Sequence, residues 1–197
     1  MNEKSQYVAF EGGRKIASGE LRDVALKAHK AIQACETAIL IFNDASSEVI
    51  ELDLRGSSRD VLRKLEETPI QAVEPEAPRK PGRPKLGVVA REVTLLPRHW
   101  DWLNVQPGGA SVAIRKLVEE ARRVHRNTDR VRKAKESAYR FMSTMAGNEP
   151  GFEEATRGLF AGDAIRFAEY SRQWPSDVRA HAARLAARAF EGGATNE

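Results

Sequence analysis

The chain has little of what several classes of protein depend on. Cys35 is the only cysteine among 197 residues, which excludes an internal disulfide and favours a reducing compartment. No run approaches the ~20 apolar residues that a membrane-spanning helix requires. The N-terminal sequence MNEKSQYVAFEGG also lacks the apolar core of a signal peptide. We therefore expect a cytoplasmic protein that does not enter a membrane.

Residues that build catalytic and metal sites are scattered. None of the four histidines stands at ligand spacing from a cysteine or an acid, and no Ser-His-Asp or Cys-His set can be assembled; they are His29, His99, His125 and His181. We interpret Glu48, Glu51 and Asp53 as solvated carboxylates rather than an acid/base pair. The sequence predicts no catalytic residues, no metal and no cofactor, so we expect a protein that is not an enzyme.

Positive charge is in slight excess. Lys and Arg number 32 against 28 for Asp and Glu, which gives a formal net charge of +4 and a pI near 9.3. Hydrophobic residues make up 41% of the chain and charged residues 30%, as in a globular protein. The excess points only weakly to a polyanionic partner, so the distribution of the charge matters more than its sum.

The first third of the chain predicts a small α+β unit. Gly12-Gly13 separates two short strand patterns and supplies the positive φ that a hairpin needs. The apolar run Thr37–Phe42 predicts a buried central strand, and the alternation over Glu48–Leu54 predicts a half-buried strand that pairs back. The predicted order is ββαββα, with elements at 7–10, 15–18, 20–34, 37–42, 48–54 and 59–67.

A proline-rich linker follows this unit. Five prolines between residues 68 and 84 disfavour regular helix or strand. We predict an α+β protein with three parts: a domain at 1–67, a basic linker at 68–87, and a mainly helical region at 88–191 that opens with one short strand. In that region Asn127-Thr128-Asp129 predicts a helix break with Thr128 as a cap, and Asp163 predicts the cap of a later helix.

The linker ends in a cationic segment, Arg79-Lys80-Pro81-Gly82-Arg83-Pro84-Lys85. It resembles the AT-hook, whose Gly-Arg-Pro core lies in the minor groove of A·T-rich DNA. Gly82 leaves room beside the groove wall, Pro84 keeps the chain extended, and Arg83 points along the acceptor-lined floor. Lys80 and Lys85 would contact phosphates. The usual core has arginine where Pro81 stands, and a basic spacer is the alternative interpretation.

Residues 88–123 resemble the ribbon-helix-helix repressor motif. Leu96-Pro97 matches the end of the strand and the start of the first helix, and Ser111-Val112-Ala113-Ile114-Arg115 matches the start of the second. The resemblance implies an obligate dimer whose paired strands enter the major groove. Ser111 would be the N-cap, beside amides that can hold a phosphate. A generic strand–helix–helix arrangement is the alternative.

The stretch 122–140, which begins at the end of this motif, is dense in cations: Arg122, Arg123, Arg126, Arg130, Arg132, Lys133, Lys135 and Arg140. We predict that Ile114, Leu117, Val118 and Ala121 form the inward stripe of the second helix.

The predicted DNA contacts are the hook residues together with Arg91, Ser111, Arg115, Arg122 and Arg123. RNA is an alternative polyanion, although no aromatic stacking motif supports it.

At full length the chain resembles a family of bacterial proteins known only as a conserved domain of unknown function. The resemblance rests on TLLPRHWDWL, QPGGASVAIRKLVEEAR and the C-terminal helices, and it implies a bacterial source without an activity. The leading hypothesis is a non-enzymatic protein that binds double-stranded DNA as a homodimer, a candidate transcriptional regulator. The rival is a protein–protein interaction module in which Trp100 and Trp102 anchor a protein partner.

Overall fold

The computed structural model of the protein describes residues 6–34, 37–67 and 89–191. It confirms the α+β class, with a small antiparallel sheet near the N-terminus and a mainly helical C-terminal region. The strands are β1 (Tyr7–Glu11), β2 (Arg14–Gly19) and β3 (Ile39–Asn43). The helices are α1 (Leu21–Ala34), α2 (Ser58–Glu67), α3 (Pro97–Asn104), α4 (Gly109–Ala146), α5 (Phe152–Ala161), α6 (Ala164–Tyr170) and α7 (Ser176–Phe190).

The chain divides into two compact units. The sheet unit comprises residues 1–69 and 127–197, and the connecting unit comprises residues 70–126. Our sequence boundaries separated 1–67 from 88–191, so the observed grouping differs from them. The difference arises because the C-terminal helices pack on the N-terminal sheet, a long-range contact that no local pattern encodes.

The hairpin of β1 and β2 forms where it was predicted. Glu11 pairs with Arg14 at its closed end, and Gly12 supplies the positive φ of +53°. Gly13 has a different role, because a Cβ at this position would lie 2.8 Å from the Cβ of Pro175. The second glycine is therefore required by a close approach of the chain rather than by its φ.

The sheet order is β2-β1-β3, which corrects the predicted position of the third strand. β1, not β3, is the central strand, and all five of its residues are buried. Tyr7 and Ala9 face one core cluster while Val8 and Phe10 face another. Because β1 is covered on both faces, its apolar residues are continuous rather than alternating with polar ones.

The predicted fourth strand at 48–54 is not formed among the described residues. A single bridge joins Val49 to Phe42, and the Ile50 amide donates to the Ile41 carbonyl over 2.7 Å. Beyond this point the segment has no strand pairing, although Ile50, Leu52 and Leu54 pack against the cluster on the α1 side of the sheet. The alternation of apolar and polar residues thus predicted correctly which side chains of this segment are partly buried. It was wrong in predicting that the segment pairs as a β-strand.

The main core lies between the sheet and the C-terminal helices. Phe10 and Phe42 of the sheet meet Phe141 of α4 with ring centroids 5.3 Å away in each case. Such aromatic pairs add about 1 kcal/mol each beyond the burial of their area. Helix α7 completes the core with Val178, Ala182, Leu185, Ala186 and Ala189. The sheet and the C-terminal helices therefore form one folded body.

Helix α4 continues through Asn127-Thr128-Asp129, where we predicted a break. The Asn127 side chain accepts from Arg130 over 3.1 Å, and the Asp129 carboxylate accepts from Arg132 over 3.3 Å. Because these side chains bond forward along the helix surface, they do not compete for backbone amides as caps do. The predicted cap at Asp163 is confirmed, since its carboxylate accepts from the Arg166 amide over 2.9 Å.

In the connecting unit, α3 begins at Pro97 as the sequence predicted. The predicted strand before it is absent, because residues 89–96 carry no regular secondary structure within the described chain. Helix α4 begins at Gly109, so Ser111 lies inside its first turn and is not the N-cap. Leu117 and Val118 are 52% and 48% exposed. The stripe predicted to face inward is therefore largely uncovered in this unit.

Candidate nucleic-acid interface

The predicted minor-groove contacts lie in the linker. Lys80, Gly82, Arg83, Pro84 and Lys85 fall outside the described residues. The hook interpretation therefore stays a prediction from sequence, and the geometry of the candidate interface comes from the remaining predicted contacts.

Arg91, Ser111 and Arg115 are exposed residues of the connecting unit. Arg91 precedes α3, whereas Ser111 and Arg115 lie in the first two turns of α4. Within the described chain, the side chains of Arg91 and Arg115 make no hydrogen bond or ion pair. Ser111 stays near amides of the first helical turn that have no partner inside the helix. Both arginines are thus open to an external anion.

Arg122 and Arg123 are in a different state. The Arg122 guanidinium bonds Glu119 over 2.9 Å, and that of Arg123 bonds both oxygens of Glu120 over 2.8 and 3.0 Å. These are exposed i,i+3 pairs, each worth only a few tenths of a kcal/mol. A phosphate can replace the carboxylate, but the local charge of each pair is near zero before it does so.

The cation-dense stretch in the sheet unit is also mostly engaged. Arg132 lies between Asp129 and Glu136, and hydrogen bonds from these carboxylates, Glu136 foremost, raise the pKa of the guanidinium. Lys135 donates to the Phe160 carbonyl over 2.7 Å, and Arg140 donates to the Ser46 carbonyl over 2.6 Å. These cations stabilise the fold, which the count of basic residues did not reveal.

Lys116 and Arg126 are two further cations of the connecting unit that were not among the predicted DNA contacts. Both are exposed, and among the described residues their side chains have no hydrogen-bond or ion-pair partner. Arg126 could have been found from the sequence, because three of the residues three or four positions away are arginines and only Asp129 is acidic. For Lys116 no such signal exists, since Glu119 and Glu120 are within reach but bind Arg122 and Arg123 instead.

Other site chemistry is limited in the part of the chain that the structure describes. No group of three His, Cys, Asp or Glu side chains there could hold a metal ion. Asp53 accepts from Arg55 over 2.8 Å and from Lys64 over 2.9 Å, and these hydrogen bonds hold the pKa of its carboxyl well below the usual range. No described helix is long and apolar enough to cross a bilayer.

The fold and this surface define an α+β protein with a helical unit that displays open cations beside uncovered apolar side chains. The chain belongs to the family DUF2239, described as an uncharacterized protein conserved in bacteria, whose model matches residues 6–186. This membership confirms the full-length resemblance found in the sequence. No curated protein and no solved structure matches the chain.

Proposed function

We propose that the protein is a non-enzymatic DNA-binding protein of the bacterial cytoplasm that acts as a homodimer. Transcriptional regulation is the process that we propose for it. The connecting unit would supply the contacts to double-stranded DNA, with the hook residues in the minor groove and the open cations on phosphates.

One observation carries the proposal. The first half of α4 places uncovered apolar residues, Leu117 and Val118, beside the open cations Arg115 and Lys116. A helix with half-exposed apolar residues gains free energy when a second surface covers them. In a dimer the second copy would do so, and two sets of cations would then lie on one assembly, as an anionic duplex requires.

The segment at 89–96 supports the same arrangement. In ribbon-helix-helix proteins the strand pairs only with its counterpart in the second chain. A single chain of that kind offers the segment no partner, so the lack of a strand at 89–96 is compatible with a ribbon that forms on dimerisation. Val93 and Leu96, 55% and 50% exposed, would be covered there.

The test is fluorescence anisotropy of labelled A·T-rich and G·C-rich duplexes against the purified protein over a salt series. We expect binding that weakens steeply with salt and prefers the A·T-rich duplex. Sedimentation velocity of the same samples reports the oligomeric state. No binding of either duplex at low salt would refute the proposal.

Two sets of variants assign the contacts. Arg83→Ala with Lys85→Ala should weaken binding and remove the A·T preference; unchanged affinity would exclude the hook. Arg115→Gln should reduce the slope of log K against log[salt] by about one counterion for each lost phosphate contact. Arg122→Gln is the matched control, because Arg122 is already paired with Glu119, and we expect a smaller change. An equal or larger effect at Arg122 would show that the ion pair opens to bind DNA.

The second candidate is a protein–protein interaction module. Trp100 and Trp102 are 37% and 51% exposed on α3, and exposed tryptophans are typical anchors of protein interfaces. In that case the wild type would show no salt-dependent retention on DNA. It would form a stable complex with a protein partner, and Trp100→Ala with Trp102→Ala would abolish that complex. If DNA binding is present and the tryptophan variant keeps it, the two surfaces are separate.

A further inference from the structure

A cavity of about 830 Å³ lies within the sheet unit, among the loop after β3, the C-terminal part of α4 and helix α7. Its lining includes Asn43 and Asp44 from the loop, Lys133 and Ser137 from α4, and Leu185 and Arg188 from α7. The volume is in the range of small-molecule sites, which commonly measure about 300–1,000 Å³. None of these residues belongs to the predicted DNA contacts.

The charges around this cavity are not balanced. The Asp44 carboxylate is bound by Arg184, and Glu191 lies 3.7 Å from Arg130. Lys133 and Arg188 stand on different helices, and in the described chain neither side chain has a hydrogen-bond or ion-pair partner. Both acids of the lining therefore already have cations beside them, while two cations on separate walls remain open to a ligand.

The wall formed by the loop is held in place from several directions. The Asn43 side-chain oxygen accepts from the amides of Ala45 and Ser46 over 2.9 and 3.1 Å. The Ser47 hydroxyl bonds that of Ser137 on α4 over 2.9 Å, and the Asp44 amide donates to the Gln6 carbonyl over 2.8 Å. A wall fixed in this way loses little conformational entropy when a ligand binds.

We propose that this cavity binds a small molecule that carries a phosphate or diphosphate group. Lys133 and Arg188 would hold the anionic group from two sides, since ammonium and guanidinium groups both form charge-assisted hydrogen bonds to phosphate oxygens. Ala45 and Ala134 offer apolar surface to the rest of the molecule, while Ser137 is hydrogen-bonded to Ser47. The combination of a charged end and an apolar surface distinguishes this site from a groove that follows a nucleic-acid backbone.

The experiment uses the full chain and pyrophosphate as the probe, at fixed ionic strength, with citrate as a carboxylate of similar charge. Binding is followed by calorimetry and by the shifts of backbone amide resonances in ¹H–¹⁵N spectra. The test variant is Lys133→Gln with Arg188→Gln. Its control, Lys30→Gln with Arg172→Gln, removes the same charge from exposed positions outside the cavity. All four residues are exposed, so both variants should keep the wild-type thermal midpoint.

We expect saturable binding of pyrophosphate, with shifts concentrated at Asn43, Ala45 and Ser137. The dissociation constant should rise by about tenfold or more in the test variant and stay unchanged in the control, because two charge-assisted contacts are lost. Equal weakening in both variants would show non-specific attraction and overturn the inference. Equal affinity for citrate would overturn the assignment to phosphate.

A further outcome would also overturn the inference: the wild type does not bind pyrophosphate, and the Lys133/Arg188 variant loses affinity for duplex DNA. The cavity would then be a nucleic-acid contact. The inference does not depend on the proposed DNA binding. Failure of the Arg83/Lys85 test leaves the pyrophosphate titration unaffected, so the two failures are distinguishable.

Discussion

Acidification from pH 7 to pH 5 is expected to destabilise the fold through His181. This residue is 5% exposed, and its ring packs against those of Phe10 and Phe141 at centroid distances of 5.4 and 4.5 Å. The pKa of His181 is lowered from 6.5 to about 4, chiefly by burial and also by the nearby charges of Arg184 and Lys15, while Asp44 acts in the opposite direction. The imidazole is therefore neutral in the folded protein at pH 5.

The sign follows from proton linkage. Between pH 6.5 and 4 the unfolded chain binds a proton at His181 that the folded chain does not, so stability falls as the pH falls through this window. The displacement of the pKa corresponds to at most about 3 kcal/mol, of which about 2 kcal/mol is lost between pH 7 and pH 5. In urea, with a slope of about 2 kcal/mol/M, the unfolding midpoint should decrease by about 1 M.

The assay is urea unfolding at both pH values for the wild type, His181→Gln and His125→Gln. His125 is exposed on α4 and provides the matched control. The His181 variant should be less stable at pH 7 but should lose much less stability on acidification than the other two proteins. If all three lose the same free energy between pH 7 and pH 5, the reasoning about His181 is refuted. The two assay pH values are not below 5, so carboxylates with lowered pKa, such as Glu154, contribute little to the difference between them.

Three further predictions concern the sheet unit and α4. Gly151→Ala should lower the free energy of unfolding by several kcal/mol, since φ is +78° and a Cβ would lie 2.4 Å from the Tyr170 carbonyl oxygen. The control Gly109→Ala, with φ +76° and open space around the position, should lower it by only about 1 kcal/mol. Similar losses in the two variants would contradict the steric argument. Asp163→Ala should remove the α6 cap and lower stability by about 1 kcal/mol, measured by urea unfolding, and no loss would show that the bond is not needed. Phe141→Ala, at a fully buried ring, should cost about 3–5 kcal/mol in the same assay, and a loss below 1 kcal/mol would indicate that the core can collapse around the gap.

Local signals predicted local structure well. The Gly12-Gly13 turn, the start of α3 at Pro97 and the cap at Asp163 are each determined by a few neighbouring residues, and each was found from sequence. The central position of β1 was not, because strand order depends on contacts between distant parts of the chain. The same holds for the turn residues Asn127-Thr128-Asp129, whose local preference yielded to the helix that continues through them.

The candidate interface shows a second limit of sequence reasoning. Charge density identified the region of α4, but it did not separate Arg115, which is open, from Arg122, which is paired. The cavity in the sheet unit was invisible to sequence, because Asn43, Lys133 and Arg188 meet only after the chain has folded. Which cations form ion pairs, and which residues meet around a cavity, depends on three-dimensional packing. The composition gives only the number of charged residues.

The position of β1 has a consequence for folding during synthesis on the ribosome. The strand at the centre of the sheet is synthesised before the helices that cover one of its faces. Lys15 bonds Asp177 across 162 positions of the chain, and Phe10 meets His181 in the same core. Because contacts between distant parts of a chain form slowly, the apolar face of Val8, Phe10 and Phe42 stays uncovered until α7 has been synthesised. This interval is when the nascent chain is most exposed to aggregation and most dependent on chaperones.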